Sequence, residues 1–415
     1  MSKAAGEPSA SVSVARDVHG GLHGTAVAAA PLLRLSAFYL LFFTQVGLFG
    51  PYWSLYLADR GFDARQIGSL MAIMTATKIA APYLWGSVAD RSGRRLSIIR
   101  MACLVSLLAF ACVPAADGFV LLALCMMTYA FFWNATLPQF EAVTLAHLGD
   151  ESSRYSRVRL WGSIGFIIAV MAGGELFDRA GLDSLPWVVV AVMACIGLAS
   201  FLISEPPAPA CKSDATGVLA ALRRPEVLAL LLACFLMQVS HGPYYVFFSI
   251  YLKSLGYSGF AIGVLWSLGV LAEIVLFLCM PRIFAAVAMR PLFLWCFLLT
   301  ALRWTLLAGF AELPIVVVST QLLHAASYGL YHVVAIRLIH ERFGGSAAGR
   351  GQALYSSIGF GAGGALGSLL SGYLWAQAGP AWTWMMAASM SLLGAVIVYR
   401  WLNPTGDEPA PAVDT

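Results

Sequence analysis

Charged side chains inside apolar segments are the residues of this sequence whose types and spacing could do chemistry. Glu141 and Arg159 lie in two successive apolar segments, each a turn or two from the end where the segments join. A charge at the bilayer centre costs about 3 kcal/mol or more unless it is paired or hydrated. The two residues therefore indicate either a structural ion pair that fastens two helices or a site for a polar substrate, and both interpretations stay open.

Polar residues also recur at helical spacing in four of these segments. Residues three, four or seven positions apart share one face of a helix. The polar faces consist of Gln321, His324, Tyr328 and His332; of Gln238, His241 and Tyr245; of Asn134 and Glu141; and of Gln45, Tyr52 and Tyr56. We expect the four faces to line one central cavity.

Arrangements typical of catalysis or metal binding do not occur in the sequence. His340 and Glu341 begin like a zinc-protease HExxH motif, but Gly344 stands where the second histidine should be. Seven of the eight cysteines fall in apolar segments, Cys211 lies in a loop, and none has CxxC or metal spacing, so we expect neither disulfides nor zinc. We predict no catalytic residue, metal or cofactor, which disfavours a membrane enzyme, and the loops are too short for a receptor's sensory domain.

The elements that must position these residues are membrane-spanning helices. The chain is 60% hydrophobic and 11% charged, with a mean hydropathy of +0.79. Apolar runs of about 18 residues or more can cross roughly 30 Å of hydrocarbon. We predict twelve of them: Leu33–Leu57, Gln66–Ala89, Ser97–Pro114, Phe119–Leu148, Tyr155–Phe177, Leu185–Leu202, Pro225–Leu252, Phe260–Phe284, Pro291–Glu312, Pro314–Arg342, Gly351–Ala376 and Trp382–Leu402.

Basic residues fall mainly in alternate loops, which predicts the orientation in the membrane. One set of loops holds Arg91, Arg94, Arg95, Arg154, Lys212, Arg223, Arg224, Arg282, Arg290, Arg342 and Arg350, whereas the opposite set holds Arg60, Arg65, Arg179 and Lys253. Both termini are therefore expected in the cytoplasm of a multi-pass protein of the cell inner membrane. Residues 1–32 lack the pattern of a signal peptide and are expected to form a disordered tail, as are residues 403–415. The net charge of +4 reflects this loop bias and does not indicate nucleic-acid binding.

The two halves of the sequence are related. Tyr56-Leu57 and Gly61-Phe62 reappear as Tyr251-Leu252 and Gly256-Tyr257, and Leu160–Phe166 is echoed by Leu354–Phe360. The repeat predicts an all-α membrane protein with twelve transmembrane helices in two pseudo-symmetric six-helix bundles. The bundles comprise residues 33–203 and 225–402, joined by a cytoplasmic linker at 204–224.

The loop after the second segment reads Gly86-Ser87-Val88-Ala89-Asp90-Arg91-Ser92-Gly93-Arg94-Arg95. Gly86 is expected to let a neighbouring helix pass closely, Asp90 to meet the positive N-terminus of another helix, and Gly93 to form the turn. The string resembles the loop between helices two and three that marks the major facilitator superfamily of secondary transporters. We therefore assign a conformational latch to Gly86, Asp90, Arg91, Gly93, Arg94 and Arg95. The second copy of the loop has decayed, because Ala285 and Ala286 stand at the positions of Asp90 and Arg91.

A second resemblance concerns the fifth segment. Arg157–Gly165 is similar to helix five of the lactose permease group, and Tyr155–Phe166 is closer still to its sister group, the phenylpropionate permease branch. In the lactose permease group an arginine at the position of Arg159 and a glutamate at that of Glu141 bind the substrate's hydroxyls. The resemblance and the polar faces give one set of candidate substrate-binding residues: Glu141, Arg159, Asn134, Trp161, Phe166, Gln238, His241, Tyr245 and Tyr328. Phe166 stands where that group has a sugar-stacking tryptophan, which disfavours a sugar.

The resemblance also implies a proton-coupling set. Glu273, Arg303 and His324 match the acid, base and histidine positions of lactose permease. A partly buried carboxylate can titrate near neutrality and a histidine can relay or sense the proton, although His324 could equally be a packed, hydrogen-bonded histidine. The pattern departs from lactose permease at Ser327, where that family has a glutamate.

The resemblance and the aromatic candidate cavity together favour an aromatic substrate. We predict a monomeric secondary transporter that takes up a small organic solute with protons by alternating access, and a 3-phenylpropionate-like aromatic carboxylate is the favoured substrate. A sugar or nucleoside symporter and an efflux carrier are the alternatives. The expected partners are the substrate, protons and the lipid bilayer.

Overall fold

The computed structural model describes residues 23–149, 154–205, 221–344 and 348–402, with side chains from residue 32 onward. These ranges contain helices and connecting turns, and no strand. The helices are α1 His23–Asp59, α2 Ala64–Ser92, α3 Arg95–Ala111, α4 Gly118–Leu148, α5 Tyr155–Ala180, α6 Leu185–Ser200, α7 Pro225–Ser254, α8 Gly259–Ala286, α9 Met289–Phe310, α10 Pro314–Phe343 and α11 Ala348–Trp401. The prediction of an all-α membrane protein is confirmed.

Eleven helical segments of the described chain are long and apolar enough to cross a membrane. The count differs from the predicted twelve because the last two predicted segments lie in the 54 residues of α11. A glycine kinks this helix: Gly379 has φ 81° and ψ −174°, and Pro380 follows. The described chain begins in a helix at His23, ten residues before the first predicted segment. Residues 1–22, Cys211, most of the 204–224 linker and the 403–415 tail lie outside the described residues.

Local sequence explains where α2 begins and ends. Asp63 and Gln66 form a reciprocal capping box at its start, where Asp63 Oδ1 accepts from the Gln66 amide at 2.8 Å. At its end Gly93 has φ 66°, and its amide donates to the Ala89 carbonyl at 2.9 Å. The left-handed conformation explains the glycine, and the predicted turn at Gly93 is confirmed.

Helices of the N-terminal half (residues 23–205) pack mainly on one another, as do those of the C-terminal half (residues 221–402). Between the halves, α2 packs on α11 and α5 packs on α8. Glycines allow both approaches: a Cβ atom on Gly68 would collide with the backbone at Gly372, and one on Gly174 with the backbone at Gly259. Small residues at helix crossings are the usual means of close packing in a membrane.

Two helices contain a π-helical turn, at Ala325–Leu330 of α10 and at Ser356–Gly363 of α11. Such turns are rare and occur often at functional sites. The first turn begins directly after His324. The second turn lies between α2 and α7, since Gly361 faces Ile79 of α2 and Gly363 faces Gln238 of α7. Both irregular turns therefore lie beside predicted site residues.

The close crossing of α7 and α11 predicts that the stability of the fold depends strongly on Gly367. A Cβ atom there would collide with the Val239 backbone, and one on Gly242 with the Gly367 backbone. We expect Gly367→Leu to separate the helices and destabilise the fold by about 1–3 kcal/mol or more, measured as a lower melting temperature of the purified protein. Gly309→Leu is the control because nothing lies within 4 Å of a Cβ atom there. Equal melting temperatures for the two variants would contradict this packing.

Candidate functional site

Helices α8, α9 and α10 bring the three predicted proton-coupling residues together with Ser327. Arg303 is completely buried, and its Nη1 lies 3.0 Å from His324 Nδ1 and 2.9 Å from Ser327 Oγ. His324 Nε2 lies 3.3 Å from Glu273 Oε1. We call these four residues the Arg303 cluster. The sequence placed three of them in one network, and the structure shows the contacts.

The contacts of His324 determine where its proton lies. A guanidinium can only donate hydrogen bonds, so His324 Nδ1 accepts from Arg303. The proton of the neutral imidazole is therefore on Nε2, which faces the Glu273 carboxylate. A second proton on Nδ1 would point at a guanidinium N–H and would require the Arg303 bond to break. Of these two titratable groups, Glu273 can therefore gain a proton while the bond between Arg303 and His324 stays intact.

Aromatic rings complete the surroundings of Arg303. Its guanidinium carbon lies 4.4 Å from the ring centroids of both Tyr244 and Trp304, a cation–π arrangement. Tyr244 Oη also donates to Gln321 Oε1 at 3.0 Å. Among the residues that the structure describes, the buried Arg303 Nε and Nη2 have no hydrogen-bond partner. The N–H groups of these two nitrogens are therefore available to an acceptor that approaches.

The polar face of α7 adds one unused donor and one unused acceptor. Gln238 and His241 are buried, and the donor Gln238 Nε2 and the acceptor His241 Nε2 have no hydrogen-bond partner among the described residues. His241 Nδ1 lies 2.8 Å from the Met237 carbonyl, and its ring centroid lies 6.4 Å from those of Tyr245 and Tyr328. The structure therefore brings these four predicted substrate-binding residues of the C-terminal half into one region.

Rings on α10 form a stacked row. The ring plane of Tyr328 lies 7° from that of His324 and 6° from that of His332, with centroids 5.4 Å and 6.2 Å apart. Phe360 of α11 contacts Tyr328 and His332 edge-on. Among the residues described, no group of three or more His, Cys, Asp and Glu side chains could hold a metal ion.

Glu141 and Arg159 do not pair as the sequence suggested. No ion pair within 4 Å joins them in the described chain, because the Arg159 guanidinium lies 3.9 Å from the ring centroid of Phe43 on α1. Glu141 instead accepts from Tyr155 Oη at 3.4 Å, while still interacting electrostatically with Arg159. The Arg159 guanidinium also lies 5.8 Å from the ring centroid of Tyr39, so it packs against α1.

The other predicted residues of the N-terminal half have different surroundings. Asn134 Nδ2 donates to Thr77 Oγ1 at 2.8 Å, which ties α4 to α2. Trp161 is 42% exposed, whereas Phe166 is partly buried and packs against the hydrophobic core. Of these three, the structure gives Asn134 a polar partner.

The predicted latch loop makes local contacts. Asp90 pairs with Arg95 at 2.5 Å and its side chain is 68% exposed, and among the described residues it contacts no helix N-terminus. A Cβ atom on Gly86 would meet only Gln139 Nε2, at 3.8 Å, so the expected close helix approach at Gly86 is absent. Arg91 and Arg94 are exposed. The side-chain contacts of Asp90 and Arg95 in the described chain therefore stay within the N-terminal half.

A helix N-terminus is instead held at the opposite end of the bundle, where the α1–α2 and α7–α8 turns lie. Asp178 of α5 accepts from the Phe260 amide at 3.1 Å and lies 3.4 Å from Lys253 Nζ. Tyr52 Oη contacts the carbonyls of Val170 and Gly259, at 2.5 Å and 3.2 Å. These contacts close the α1–α2 end. Sequence analysis missed Asp178, although an acidic residue near the end of a membrane helix was a usable signal.

An all-helical membrane fold with charged and polar groups buried among its helices is the arrangement of a solute transporter. The MFS_1-like family model matches residues 32–386, and the chain belongs to this family of major facilitator transporters. Over 357 residues it is 29% identical to a probable 3-phenylpropionic acid transporter of Escherichia coli strain K12, covering 84% of this chain and 92% of that protein. It is also 29% identical over 350 residues to a maltose permease of Geobacillus stearothermophilus, covering 81% and 86%.

The fold agrees with these relatives. A crystal structure of a mutant of the nucleoside transporter NupG superposes with a TM-score of 0.80 at 16% identity, over 90% of this chain and 100% of that one. The predicted membership of the major facilitator superfamily is confirmed. The protein is a secondary transporter and not an enzyme.

Ser327 is the member of the Arg303 cluster that sequence analysis did not select, and its contacts predict a stabilising role. Ser327→Ala removes one of the two acceptors of Arg303 Nη1, which should cost about 1–3 kcal/mol of stability. Ser319→Ala is the control on the same helix, because the exposed Ser319 hydroxyl bonds only to the Ile315 carbonyl of its own helix. We expect a lower melting temperature for Ser327→Ala than for the control. Equal melting temperatures for Ser327→Ala and the control would show that the hydrogen bond from Arg303 to Ser327 does not stabilise the protein.

Proposed function

We propose that this transporter takes up a small organic anion with an aromatic ring, such as a 3-phenylpropionate-like carboxylate, together with protons. The observation that supports proton coupling is the Arg303 cluster, in which a carboxylate contacts a histidine that an arginine holds on its other side. The relatives are named for 3-phenylpropionic acid, maltose and nucleosides. A sugar or nucleoside symporter is therefore the second candidate.

Glu273 is the proposed proton carrier. It lies in the middle of α8, mostly buried, 3.3 Å from His324 Nε2 and within electrostatic reach of Arg303 and Arg159. When Glu273 is protonated, the positive charge of Arg303 is no longer balanced. An arriving substrate anion then restores the balance, which couples proton and substrate binding.

The proposed architecture has twelve spans in two six-helix bundles, residues 33–203 and 225–402, in a monomer. We divide α11 at Gly379 into two spans, since 54 helical residues are about twice what a bilayer needs. The loop charges favour cytoplasmic termini and the cell inner membrane. With that orientation the contacts of Asp178 and Tyr52 close the outer side, so the protein is in an inward-facing state.

The latch residues are proposed to act in the other state. Asp90 is exposed and pairs with Arg95 within its own loop. Closure of the cytoplasmic side would bring this loop toward the C-terminal half, where Asp90 could engage a helix N-terminus. Gly86, Arg91, Gly93 and Arg94 would shape and orient the loop.

Arg159 is proposed to bind the substrate from the N-terminal half, with Glu141, Asn134, Trp161 and Phe166 around it. The partners in the C-terminal half would be Gln238, His241, Tyr245 and Tyr328. The Arg159 guanidinium rests on the Phe43 ring and makes no ion pair within 4 Å among the residues that the structure describes. Its N–H groups can therefore bind a carboxylate in two-pronged fashion.

Arg159→Lys tests this assignment. We expect it to lose most uptake of labelled 3-phenylpropionate into proteoliposomes, because an ammonium can neither form the two-pronged bond nor stack as well on Phe43. Arg157→Lys is the control, since Arg157 is exposed on the same helix. Uptake by Arg159→Lys at the wild-type rate and apparent affinity would refute the assignment.

Glu273→Gln tests the proton carrier. A neutral glutamine mimics the protonated acid, so the loaded protein should still exchange labelled for unlabelled substrate. It cannot release a proton inside, so the empty return step should fail and accumulation driven by an imposed pH gradient should disappear. Glu312→Gln is the control because Glu312 is exposed in the α9–α10 turn. Uptake by Glu273→Gln that still follows the pH gradient would show that another group carries the proton.

A further inference from the structure

Glu141 of α4 is held beside the first turn of α5. Tyr155, the first residue of α5, donates from its Oη to Glu141 Oε1 at 3.4 Å. This is the one hydrogen bond that Glu141 accepts among the described residues. Tyr155 and Arg159 share one face of α5, because residues four positions apart lie one above the other on a helix. The carboxylate therefore lies about one turn before Arg159.

The Arg159 guanidinium extends in the other direction along the helix. Gly162 follows Arg159 by about one turn, and a Cβ atom on Gly162 would lie 2.7 Å from both Arg159 Nη1 and Phe43 Cδ2. The guanidinium thus occupies the space that a side chain at Gly162 would fill. There the ring of Phe43 covers it, 3.9 Å from the guanidinium carbon to the ring centroid. Gly162 and Phe43 therefore hold the positive charge further along α5, away from Tyr155.

The two opposite charges are near each other and yet separate. Glu141 and Arg159 interact electrostatically, but no ion pair within 4 Å joins them in the part of the chain that the structure describes. Opposite charges attract strongly where water is scarce, so each must have another partner that keeps it in place. Tyr155 is that partner for Glu141, and Phe43 for Arg159. An internal carboxylate therefore does not occupy the donors of Arg159.

We propose that Tyr155 is a positioning residue that makes the site selective for an anion, because it keeps Glu141 away from Arg159. A paired Glu141 and Arg159 would be neutral together and would present donors and acceptors that suit an uncharged polar solute. With the two charges apart, the guanidinium attracts a carboxylate and can bind it in two-pronged fashion. This inference rests on the proposed function, because it specifies how the substrate-binding arginine is kept available for an organic anion.

Matched acid and amide probes test the role of Tyr155. The full-length protein in nanodiscs is titrated with 3-phenylpropionate and with neutral 3-phenylpropanamide, and both affinities are read as thermal stabilisation. Tyr155→Phe removes only the hydroxyl, so Glu141 should pair with Arg159 and compete with the acid. We expect acid binding to weaken about tenfold, the value of a hydrogen bond to a charged group, with amide binding unchanged. Tyr83→Phe is the control and should change neither affinity, because Tyr83 is 70% exposed on α2.

A second substitution separates positioning from a merely structural role. Glu141→Gln removes the competing charge, so the double variant Tyr155→Phe/Glu141→Gln should regain the wild-type ratio of acid to amide affinity. A structural role of the hydroxyl predicts no such recovery, because the double variant lacks it too. Tyr155→Phe with the wild-type ratio, or a double variant that binds the acid as weakly as Tyr155→Phe, would overturn the proposal.

Melting temperatures without any probe give an independent test. A double-mutant cycle of Glu141→Gln and Arg159→Gln measures how strongly the two side chains interact. We expect a larger interaction in the Tyr155→Phe background than in the wild type, because the charges pair only when the hydroxyl is gone. Equal interaction in both backgrounds would overturn the proposal. A wild type that binds neither probe would contradict the proposed substrate class instead, and the cycle would still decide the role of Tyr155.

Discussion

The C-terminal half of this transporter is arranged around the guanidinium of Arg303. Solvent does not reach this group, so neighbouring side chains have to compensate its charge. Two rings cover its faces, at 4.4 Å each, while His324 and Ser327 accept from one of its nitrogens. Glu273 supplies the opposite charge through His324. Since a buried charge that loses its partner is strongly destabilising, any change in the charge of Glu273 must alter how Arg303 is held.

The positive charges inside the N-terminal half lack the ionic and hydrogen-bonding partners that surround Arg303. Arg159 rests on the ring of Phe43, and Lys78 has no partner in the described chain. The contrast has a physical consequence. Charges that are balanced within the protein, as around Arg303, can exchange protons, whereas charges left unbalanced attract an anion from solution. Under the proposed function the two halves would have different tasks, proton exchange in one and anion recognition in the other.

The sequence predicted those site residues whose type is unusual in an apolar helix or turn. Glu273, Arg303 and His324 were identifiable through the resemblance to lactose permease, and Gly93 because its turn requires a left-handed residue. Ser327 was not identifiable, because serine is common in such helices and its role depends on where Arg303 of another helix reaches. The direct pairing of Glu141 with Arg159 failed for a similar reason: Phe43 of α1 competes for the guanidinium, and spacing along α4 and α5 cannot show that.

Helix α8 connects Glu273, the proposed proton carrier, to the α1–α2 end of the molecule. Its first turn is held by Asp178 of the other half, through the Phe260 amide at 3.1 Å, and its middle contains Glu273. A helix is stiff over this length, because each backbone bond fixes one further residue. The glycine contact between Gly174 and Gly259 leaves no side chains to absorb a rotation. A shift of α8 that follows a change of charge at Glu273 therefore acts directly on the contacts that close the α1–α2 end.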